Sequence, residues 1–362
     1  MGSFSTRLAA AAAVAAISAV AVPTASAATL ETVATGLDNP RGVAVGPDGA
    51  VYVANAGRGG RQCQGEGEEA MCLGTTGRIV RVAPDGSKST VARGMFSLAG
   101  PGGPFAIGLH GVSVAPDGAV FGVTGSAPPR DVASMPRPVR SKVGRLYSAS
   151  GGAFSAVARV DKLEHRRNLD NVKGDKNSNP YAVLALAANH QIVVDAGANA
   201  VLEVRDGNVS LLSLIPNRRG GRRQAVPTSI ALGPDGAYYV GELAESSGKG
   251  KARVWRVPAE GGTATVYRSG FTTISGVAFG PDGSLFVTEM FVNRRFGGRV
   301  VRVAPDGGRT VLAGAKKLTA PTGAAVDSTG AVYVSNFSVL PRKTPKKSEF
   351  RGAGGTLVKI TP

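Results

Sequence analysis

The chain has 362 residues, of which 43% are hydrophobic and 19% are charged, and it contains 51 Gly and 22 Pro. This composition suits a globular protein with many turns and a large core, and it excludes disorder as the default state. The formal net charge of +17 favours anionic partners through long-range attraction without specifying which anion.

Residues 1–27 have the pattern of a secretory signal peptide. Arg7 gives a basic start, Leu8 to Val22 is an Ala-rich apolar run, and Ala25-Ser26-Ala27 fits a small-residue cleavage site. The apolar run falls short of the roughly 20 residues that a membrane span requires. We therefore expect a secreted, extracellular protein with no membrane span, whose single domain comprises residues 28–362.

The stretch from Asn39 to Asn55 reads NPRGVAVGPDGAVYVAN. Two short β-branched runs flank a Gly-Pro-Asp-Gly corner, which places Pro at the second position of a turn and Gly where a positive φ is needed. The pattern predicts a β-hairpin rather than a helix, because both runs are short and rich in Val.

This hairpin recurs along the chain. When Gly42 is taken as the anchor, the equivalent anchors are Gly111, Ala182, Ser229, Gly276 and Gly323. The last three steps are all 47 residues, and the first two are longer because insertions interrupt those copies. A repeat of about 40 to 50 residues that contains only strands and turns predicts a propeller blade.

Each copy continues into a third strand, such as Arg78 to Val82, and the first five copies also have a fourth. The sixth copy has no fourth strand, whereas Thr29 to Thr35 precedes the first copy without a blade of its own. We therefore predict an all-β, six-bladed propeller of four-stranded blades, closed by an N-terminal strand that completes the last blade.

The two faces of this ring should differ. The first and third turns of a four-stranded meander lie on one face, here called the trimmed face, which carries the tight Pro-Asp-Gly corners. The long segments lie on the opposite, elaborated face: 56–77, 95–109, 125–143, 159–179, 215–226, 243–252, 291–298 and 337–355. Long loops on a rigid scaffold are where binding and catalysis concentrate, so we expect the site on the elaborated face.

Two groups of residues stand out in these loops. Cys63 and Cys72 should form a disulfide in an oxidising compartment, because two Cys without neighbouring His are too few for a zinc site. Clustered basic residues, including Arg219, Arg222, Arg294 and Arg295, should gather on the elaborated face and bind an anionic small molecule or polymer. Aromatic residues interleaved for base stacking are missing, so nucleic acid is not the expected partner.

Two rings of equivalent positions follow from counting along the copies. Thirteen residues after each anchor stand Asn55, Thr124, Asp195, Glu242, Glu289 and Asn336. Oxygen ligands around one axis suit Ca²⁺ or Mg²⁺, and the alternative is that they cap strand ends with hydrogen bonds.

One residue before each anchor stand Arg41, His110, Tyr181, Thr228, Ser275 and Thr322. His110 is the member suited to act as a catalytic base or a ligand, and the alternative is a hydrogen-bonded channel histidine.

The repeat resembles the NHL repeat and the propellers of the gluconolactonase (SMP-30) and virginiamycin B lyase types. With its signal peptide and Asn39-Pro40-Arg41-Gly42 at the start, the whole chain looks most like the bacterial ScyD/ScyE family. The resemblance implies a propeller fold but no firm activity. In gluconolactonase-like propellers the position before the anchor resembles the one that supplies metal-binding Asn and Asp, and those residue types are missing here.

Two functions remain open from the sequence. The first is a secreted binding or scaffold propeller whose basic face engages an anionic ligand or a cell-envelope polymer. The second is a metal-assisted lyase or hydrolase at the mouth of the central channel, built on Asn55, Asp195, Glu242, Glu289 and Asn336, with His110 as base. The sequence does not indicate the oligomeric state.

Overall fold

The computed structural model describes residues 28–362 apart from 218–223, 245–246, 294–295 and 349, so the signal peptide predicted at residues 1–27 lies outside the described residues. The described strands form six sheets of four antiparallel strands each, and the first sheet has one additional short strand. The predicted all-β, six-bladed propeller is confirmed.

Twenty-five strands are described. In chain order they are β1 (Thr29–Leu37), β2 (Pro40–Val45), β3 (Val51–Asn55), β4 (Cys63–Gln64), β5 (Met71–Val82), β6 (Lys88–Ala99), β7 (Leu109–Val114), β8 (Val120–Thr124), β9 (Arg145–Ser150), β10 (Ala153–Arg159), β11 (Pro180–Ala187), β12 (His190–Asp195), β13 (Ala200–Arg205), β14 (Asn208–Leu214), β15 (Pro227–Leu232), β16 (Tyr238–Glu242), β17 (Ala252–Val257), β18 (Thr265–Phe271), β19 (Ile274–Phe279), β20 (Leu285–Glu289), β21 (Arg299–Val303), β22 (Arg309–Ala313), β23 (Thr322–Val326), β24 (Val332–Asn336) and β25 (Gly355–Thr361).

The helices are short and lie in the insertions of the elaborated face. They are a 3₁₀ helix at Gly67–Glu69 and α-helices at Pro129–Ser134 (α1), Arg137–Arg140 (α2) and Asp161–Arg167 (α3). Within the described part of the chain, no helix is long and apolar enough to cross a membrane.

The ring closes as the sequence predicts. Strand β1 pairs antiparallel with β25, from Thr29 opposite Thr361 to Leu37 opposite Gly355. The sixth sheet therefore has the order β23, β24, β25, β1, and its outermost strand comes from the opposite end of the chain. Closing the ring in this way leaves no blade without its fourth strand.

The core is divided among the interfaces between neighbouring blades. Each of the six interfaces has its own hydrophobic cluster, as where Val53 and Val80 of blade one pack with Leu357 of blade six. Val53 and Leu357 are completely buried. Because every blade is covered on both flanks, the middle strands are buried along their whole length instead of alternating between buried and exposed residues.

The anchor glycines are required by crowding around the axis. A Cβ at Gly276 would lie 2.3 Å from the backbone carbon of Gly323 in the next blade. The inner strands converge at this level, so a side chain here would push neighbouring blades apart.

The Pro-Asp-Gly corners form a repeated brace on the trimmed face. Asp235 accepts hydrogen bonds from the Ala237 amide at 3.3 Å, the Tyr239 hydroxyl at 3.1 Å and Nε of Arg256 at 2.7 Å. Asp48 is bonded in the same way, by Ala50, Tyr52 and Arg81. These corners are structural, as their repetition indicates.

The first insertion of the elaborated face is stapled. Cys63 and Cys72 form the predicted disulfide, and β4 pairs with the start of β5 across it. Cys72 is buried, whereas Cys63 is exposed. The insertion is therefore an ordered extension of blade one.

Candidate functional site

The ring of residues that precede the anchors lines the central channel. Arg41, His110, Tyr181, Thr228, Ser275 and Thr322 surround a cavity of about 50 Å³ with the first residues of the six innermost strands. A space of this size holds a few water molecules or one small polar group. The six residues, one from each blade, therefore line one cavity, and the two halves of the ring differ in chemistry.

The hydroxyl half of the ring ties neighbouring blades together. Thr228 Oγ1 donates to the Ile274 carbonyl at 2.6 Å, and Ser275 Oγ donates to the Pro321 carbonyl at 2.9 Å. Thr322 Oγ1 continues the series by contacting the Arg41 carbonyl at 3.2 Å. These three hydroxyls form hydrogen bonds that join neighbouring blades. The half of the cavity lined by Arg41, His110 and Tyr181 is therefore left for a ligand.

Arg41 is a buried cation without a carboxylate partner. Its side chain is 9% exposed, its Nη2 donates to the Ala106 carbonyl at 2.9 Å, and its Nε is buried without a hydrogen-bond partner. Among the residues that the structure describes, no acidic group forms an ion pair with it. A buried guanidinium is costly unless a negative charge compensates it, so this position favours an anionic ligand.

His110 lies beside Arg41 and is 4% exposed. Burial and the neighbouring Arg41 charge lower the pKa of His110 to about 3, although the Pro180 carbonyl opposes this effect. The imidazole is therefore neutral at ordinary pH. The Gly108 amide lies 3.5 Å from Nε2, and on this contact we assign the ring proton to Nδ1. Nδ1 is buried and has no partner.

Arg41 and His110 thus each present an unused N–H group in the lining of one cavity. Arg41 contributes Nε and His110 contributes Nδ1. Tyr181 packs against the imidazole with ring centroids 4.7 Å apart, and this contact fixes the orientation of the ring. Two preoriented donors in a buried site can stabilise negative charge on a ligand oxygen.

Asn179 is a neighbour of this site that belongs to neither of the two rings. The position of a Cβ at Gly125 would lie 2.7 Å from Asn179 Oδ1 and 3.0 Å from His110 Nδ1. Asn179 Oδ1 is also buried without a partner, so an acceptor and a donor lie unused around the same glycine. A hydroxyl group or a water molecule can satisfy both. Asn179 stands three residues before the anchor Ala182, as Asn39 stands before Gly42, so counting to this position from the anchors would have found it.

The second predicted ring lies where expected, at the ends of the middle strands β3, β8, β12, β16, β20 and β24. Its side chains cap the crossings between blades. Asn55 accepts from the Asp38 amide at 3.0 Å, and Asn336 accepts from the Thr319 amide at 2.8 Å. In both blades the donor is the fourth residue before the anchor, so the capping repeats with the fold.

The carboxylates of the second ring are similarly engaged. Asp195 accepts from Ser178 Oγ at 2.6 Å and from the Asn179, Gly197 and Ala198 amides. Glu242 accepts from Trp255 Nε1 at 2.8 Å, and Glu289 accepts from the Thr272 amide and from Arg299. Burial raises the pKa of Asp195, against the effect of these hydrogen bonds.

These donors do not fit a divalent cation. Within the described ranges, no three His, Cys, Asp or Glu side chains are grouped so as to hold a metal ion. Each of the five predicted ligands, Asn55, Asp195, Glu242, Glu289 and Asn336, already accepts capping hydrogen bonds or an ion pair. Of the two alternatives, the geometry favours strand-end capping.

The basic residues are divided between the two faces. On the trimmed face, Arg81, Arg256 and Arg302 pair with the corner aspartates. On the elaborated face, Lys343, Lys346 and Lys347 are exposed and form no described ion pair. The predicted ligand-binding residues Arg219, Arg222, Arg294 and Arg295 lie outside the described residues.

One of the elaborated-face arginines has a structural partner. Arg342 binds the buried Asp38 through Nε at 3.0 Å and Nη2 at 2.6 Å. Burial acts to raise the pKa of Asp38, but the hydrogen bonds and charges of Arg342 and Arg78 outweigh it and lower that pKa. This pair joins blade six to blade one next to the channel mouth.

Comparison with known proteins relates this propeller to one described protein family. Residues 152–347 match a family model described as SMP-30/Gluconolactonase/LRE-like region. No curated protein matches the chain in sequence.

Among solved structures, a gluconolactonase from Xanthomonas campestris superposes with a TM-score of 0.53 at 11% identity, over 92% of this chain and 89% of that one. The calcium-binding protein regucalcin from Agrobacterium tumefaciens gives 0.54 at 14% identity, over 91% and 93%. A putative oxidoreductase (glucose dehydrogenase) from Thermus thermophilus gives 0.53 at 17% identity, over 92% and 100%. At these identities the likeness concerns the fold alone.

Proposed function

This chain belongs to the SMP-30/gluconolactonase/LRE-like family, and on that premise we propose that Arg41, His110 and Tyr181 form the substrate site of a hydrolase- or lyase-type enzyme acting on a small anionic molecule. The observation that carries the proposal is the buried Arg41 guanidinium, whose Nε lacks a partner and which no described carboxylate neutralises. An anionic substrate supplies the missing charge.

The chemistry follows from the two unused donors. Negative charge develops on a carbonyl oxygen when water attacks an ester or lactone, and also when a proton leaves the neighbouring carbon in an elimination. Arg41 Nε–H and His110 Nδ1–H can both donate to such an oxygen. The low pKa of His110 makes it a weak base, so its role here is that of a hydrogen-bond donor rather than the general base suggested by residue type.

Metal chemistry has no part in the proposed steps. The ring residues that face the cavity lack carboxylates, and the strand-end oxygens serve as caps, so neither ring fits Ca²⁺ or Mg²⁺. Calcium binding is described for regucalcin, and we do not extend it to this chain.

To test the proposed activity, hydrolysis and elimination are assayed with a panel of anionic esters, lactones and hydroxy acids. Replacing His110 by Leu should lower kcat by about 100-fold, and His110→Asn should recover part of it because the amide restores an N–H donor. A catalytic base would not be rescued by Asn, so equal loss in both variants contradicts the donor role.

Arg41→Gln should raise KM by at least about tenfold, because the anion loses its counter-charge. Arg145→Gln is the matched control, since Arg145 Nε is also buried without a partner but does not line the cavity. The proposal is refuted if the wild-type protein turns over no member of the panel and also shows no anion binding that depends on Arg41.

A second candidate function rests on the unequal pairing of the two basic surfaces. Trimmed-face arginines are neutralised by corner aspartates, whereas the exposed lysines at 343, 346 and 347 are not. The elaborated face is therefore suited to an acidic polymer of the cell envelope. This role agrees with secretion, for which the signal-peptide pattern at residues 1–27 and the Cys63–Cys72 disulfide are the support, and with the resemblance to the ScyD/ScyE family.

Retention on a heparin or polyglutamate column tests this second role. Changing Lys343, Lys346 and Lys347 to Ser should lower the eluting salt concentration more than changing three trimmed-face residues, Lys88, Arg205 and Arg309. Equal shifts for the two charge-matched triple variants would show that net charge alone is responsible.

A further inference from the structure

A group of phenylalanine rings begins at the segment that accepts a hydrogen bond from the guanidinium of Arg41. Phe105 is 48% exposed and directly precedes Ala106, whose carbonyl accepts the Arg41 Nη2 hydrogen bond. The Phe105 ring lies 6.2 Å from that of Phe296, which in turn meets Phe291 at 5.7 Å and Phe350 at 5.9 Å in edge-to-face contacts. We call these four side chains the phenyl platform.

The platform is assembled from separate parts of the chain. Phe105 comes from the crossing between blades one and two, Phe291 and Phe296 from the insertion of blade five, and Phe350 from that of blade six. Phe291, Phe296 and Phe350 border a cluster around Met290, Val339 and Leu340. The Phe105 amide donates to the Val339 carbonyl at 2.8 Å, which fixes the Phe105 backbone against the same cluster.

The exposure of Phe105 has no explanation in packing alone. Its φ is 55°, in the left-handed region that bulky side chains rarely adopt, and the residue still leaves almost half of its surface in water. Ile107, on the other side of Ala106, is 40% exposed. Two large apolar side chains, both exposed, thus flank the residue whose carbonyl accepts the Arg41 hydrogen bond.

We propose that the channel mouth binds an amphiphilic anion, with its charged group at Arg41 and an aryl or short alkyl group on the phenyl platform. The inference rests on the proposed anion site at Arg41. The charge of Arg41 selects the occupant, because a purely apolar partner would leave the guanidinium uncompensated. The channel cavity is large enough for the charged group only, so the apolar part must lie outside it, over Phe105.

Calorimetric titration with acetate and with 3-phenylpropanoate tests the inference. The wild-type protein should bind 3-phenylpropanoate at least about tenfold more tightly than acetate, since a phenyl group leaves water. Phe105→Asn should remove this difference without changing acetate binding. Asn tolerates the left-handed backbone, so the variant should fold. Phe105→Tyr keeps the ring and should preserve the difference.

Val311→Ala is the control for loss of an exposed apolar side chain, because Val311 is 51% exposed on the outer strand β22. Binding of neither anion would refute the anion site itself. Equal binding of the two anions would leave the anion site standing and overturn the amphiphilic ligand. A change in oligomeric state for Phe105→Asn, without loss of 3-phenylpropanoate binding, would instead identify the platform as a contact between copies of the chain.

Discussion

The imidazole of His110 packs against the phenol ring of Tyr181 with centroids 4.7 Å apart and an interplanar angle of 36°. The two residues occupy the same repeat position in neighbouring blades, so the symmetry of the fold brings them together at the channel. This contact holds a neutral imidazole in a buried position, and the energetic cost of protonating it can be measured.

The first prediction concerns acid stability. The pKa of His110 is about 3 in the folded protein and about 6.5 in an unfolded chain. As the pH falls from 6.5 to 3, the unfolded state takes up a proton that the folded state refuses, so the free energy of unfolding should fall in that window by up to about 1.4 kcal/mol per pH unit. Urea denaturation at several pH values should give a flatter profile for His110→Asn. Parallel profiles for the two proteins would show that the buried imidazole titrates normally.

The second prediction concerns the space between His110 and Asn179. A Cβ at Gly125 would meet His110 Cε1 at 2.6 Å and Asn179 Oδ1 at 2.7 Å, so Gly125→Ala must displace one of them. We expect catalysis or anion binding to fall by at least about tenfold, because small displacements of catalytic groups are costly. Gly314→Ala is the matched control, since nothing lies within 4 Å of its Cβ position and its φ is not positive. Equal activity of both variants and the wild type would remove Asn179 and Gly125 from the site.

The fold could be predicted from the sequence because the same strand and turn patterns repeat. The Pro-Asp-Gly corners and Val-rich runs recur at constant spacing, so a weak local pattern became a strong global one, and counting from Gly42 located both rings. Ring closure by Thr29–Leu37 followed from a missing fourth strand. The repeat carries this information because each blade solves the same packing problem.

The candidate site could be predicted from the sequence only in part, for two physical reasons. Arg41 and His110 were found because they occupy repeat positions, but their partners were not. Ala106 comes from an insertion whose path depends on tertiary contacts rather than on periodicity. Asn179 stands three residues before its anchor, as Asn39 does, but its residue type gave no reason to single it out. The strand-end ring was correctly located, yet whether its oxygens bind a cation or cap backbone amides depends on side-chain directions, which spacing does not determine.

The third prediction separates capping from metal binding. Glu289 accepts hydrogen bonds from the Thr272 amide and from Arg299, so Glu289→Ala leaves a buried N–H and a half-buried cation without a partner. We expect the free energy of unfolding to fall by about 2–3 kcal/mol. Metal content, measured by mass spectrometry on protein dialysed against Ca²⁺, should not change. Loss of one bound ion per chain would restore the metal hypothesis.

A second member of the same ring provides the control for that experiment. Thr124 ends the equivalent strand and donates to the Lys142 carbonyl at 2.8 Å through Oγ1. Thr124 Oγ1 also accepts from the Arg145 amide at 3.2 Å, so Thr124→Val removes two neutral hydrogen bonds and no charge, and a smaller loss of about 1–2 kcal/mol is expected. If both variants lose the same stability, the ion pair of Glu289 with Arg299 contributes nothing measurable.

The fourth prediction concerns Glu164, a buried carboxyl in α3 that lies outside both rings. Burial raises the pKa of Glu164 to about 7, and the nearby Asp170, Asp195 and Asp175 add to the effect, while the hydrogen bond from the Leu169 amide at 2.7 Å opposes it. An unfolded chain releases this proton near pH 4.5. Between pH 4.5 and 7 the folded state therefore keeps a proton that the unfolded state has lost, and stability should decline as the pH rises through this window.

Glu164→Gln should remove that decline, because the amide is neutral at every pH and its oxygen can still accept from Leu169. At pH 8 the variant should be more stable than the wild type by roughly 1–3 kcal/mol, whereas at pH 4 the two should be alike. Thermal unfolding at both pH values measures the difference, with the exposed Glu260→Gln as a control that should be neutral throughout. A variant less stable than the wild type at pH 8 would mean that the carboxylate is ionised in the folded protein and held by the surrounding amides.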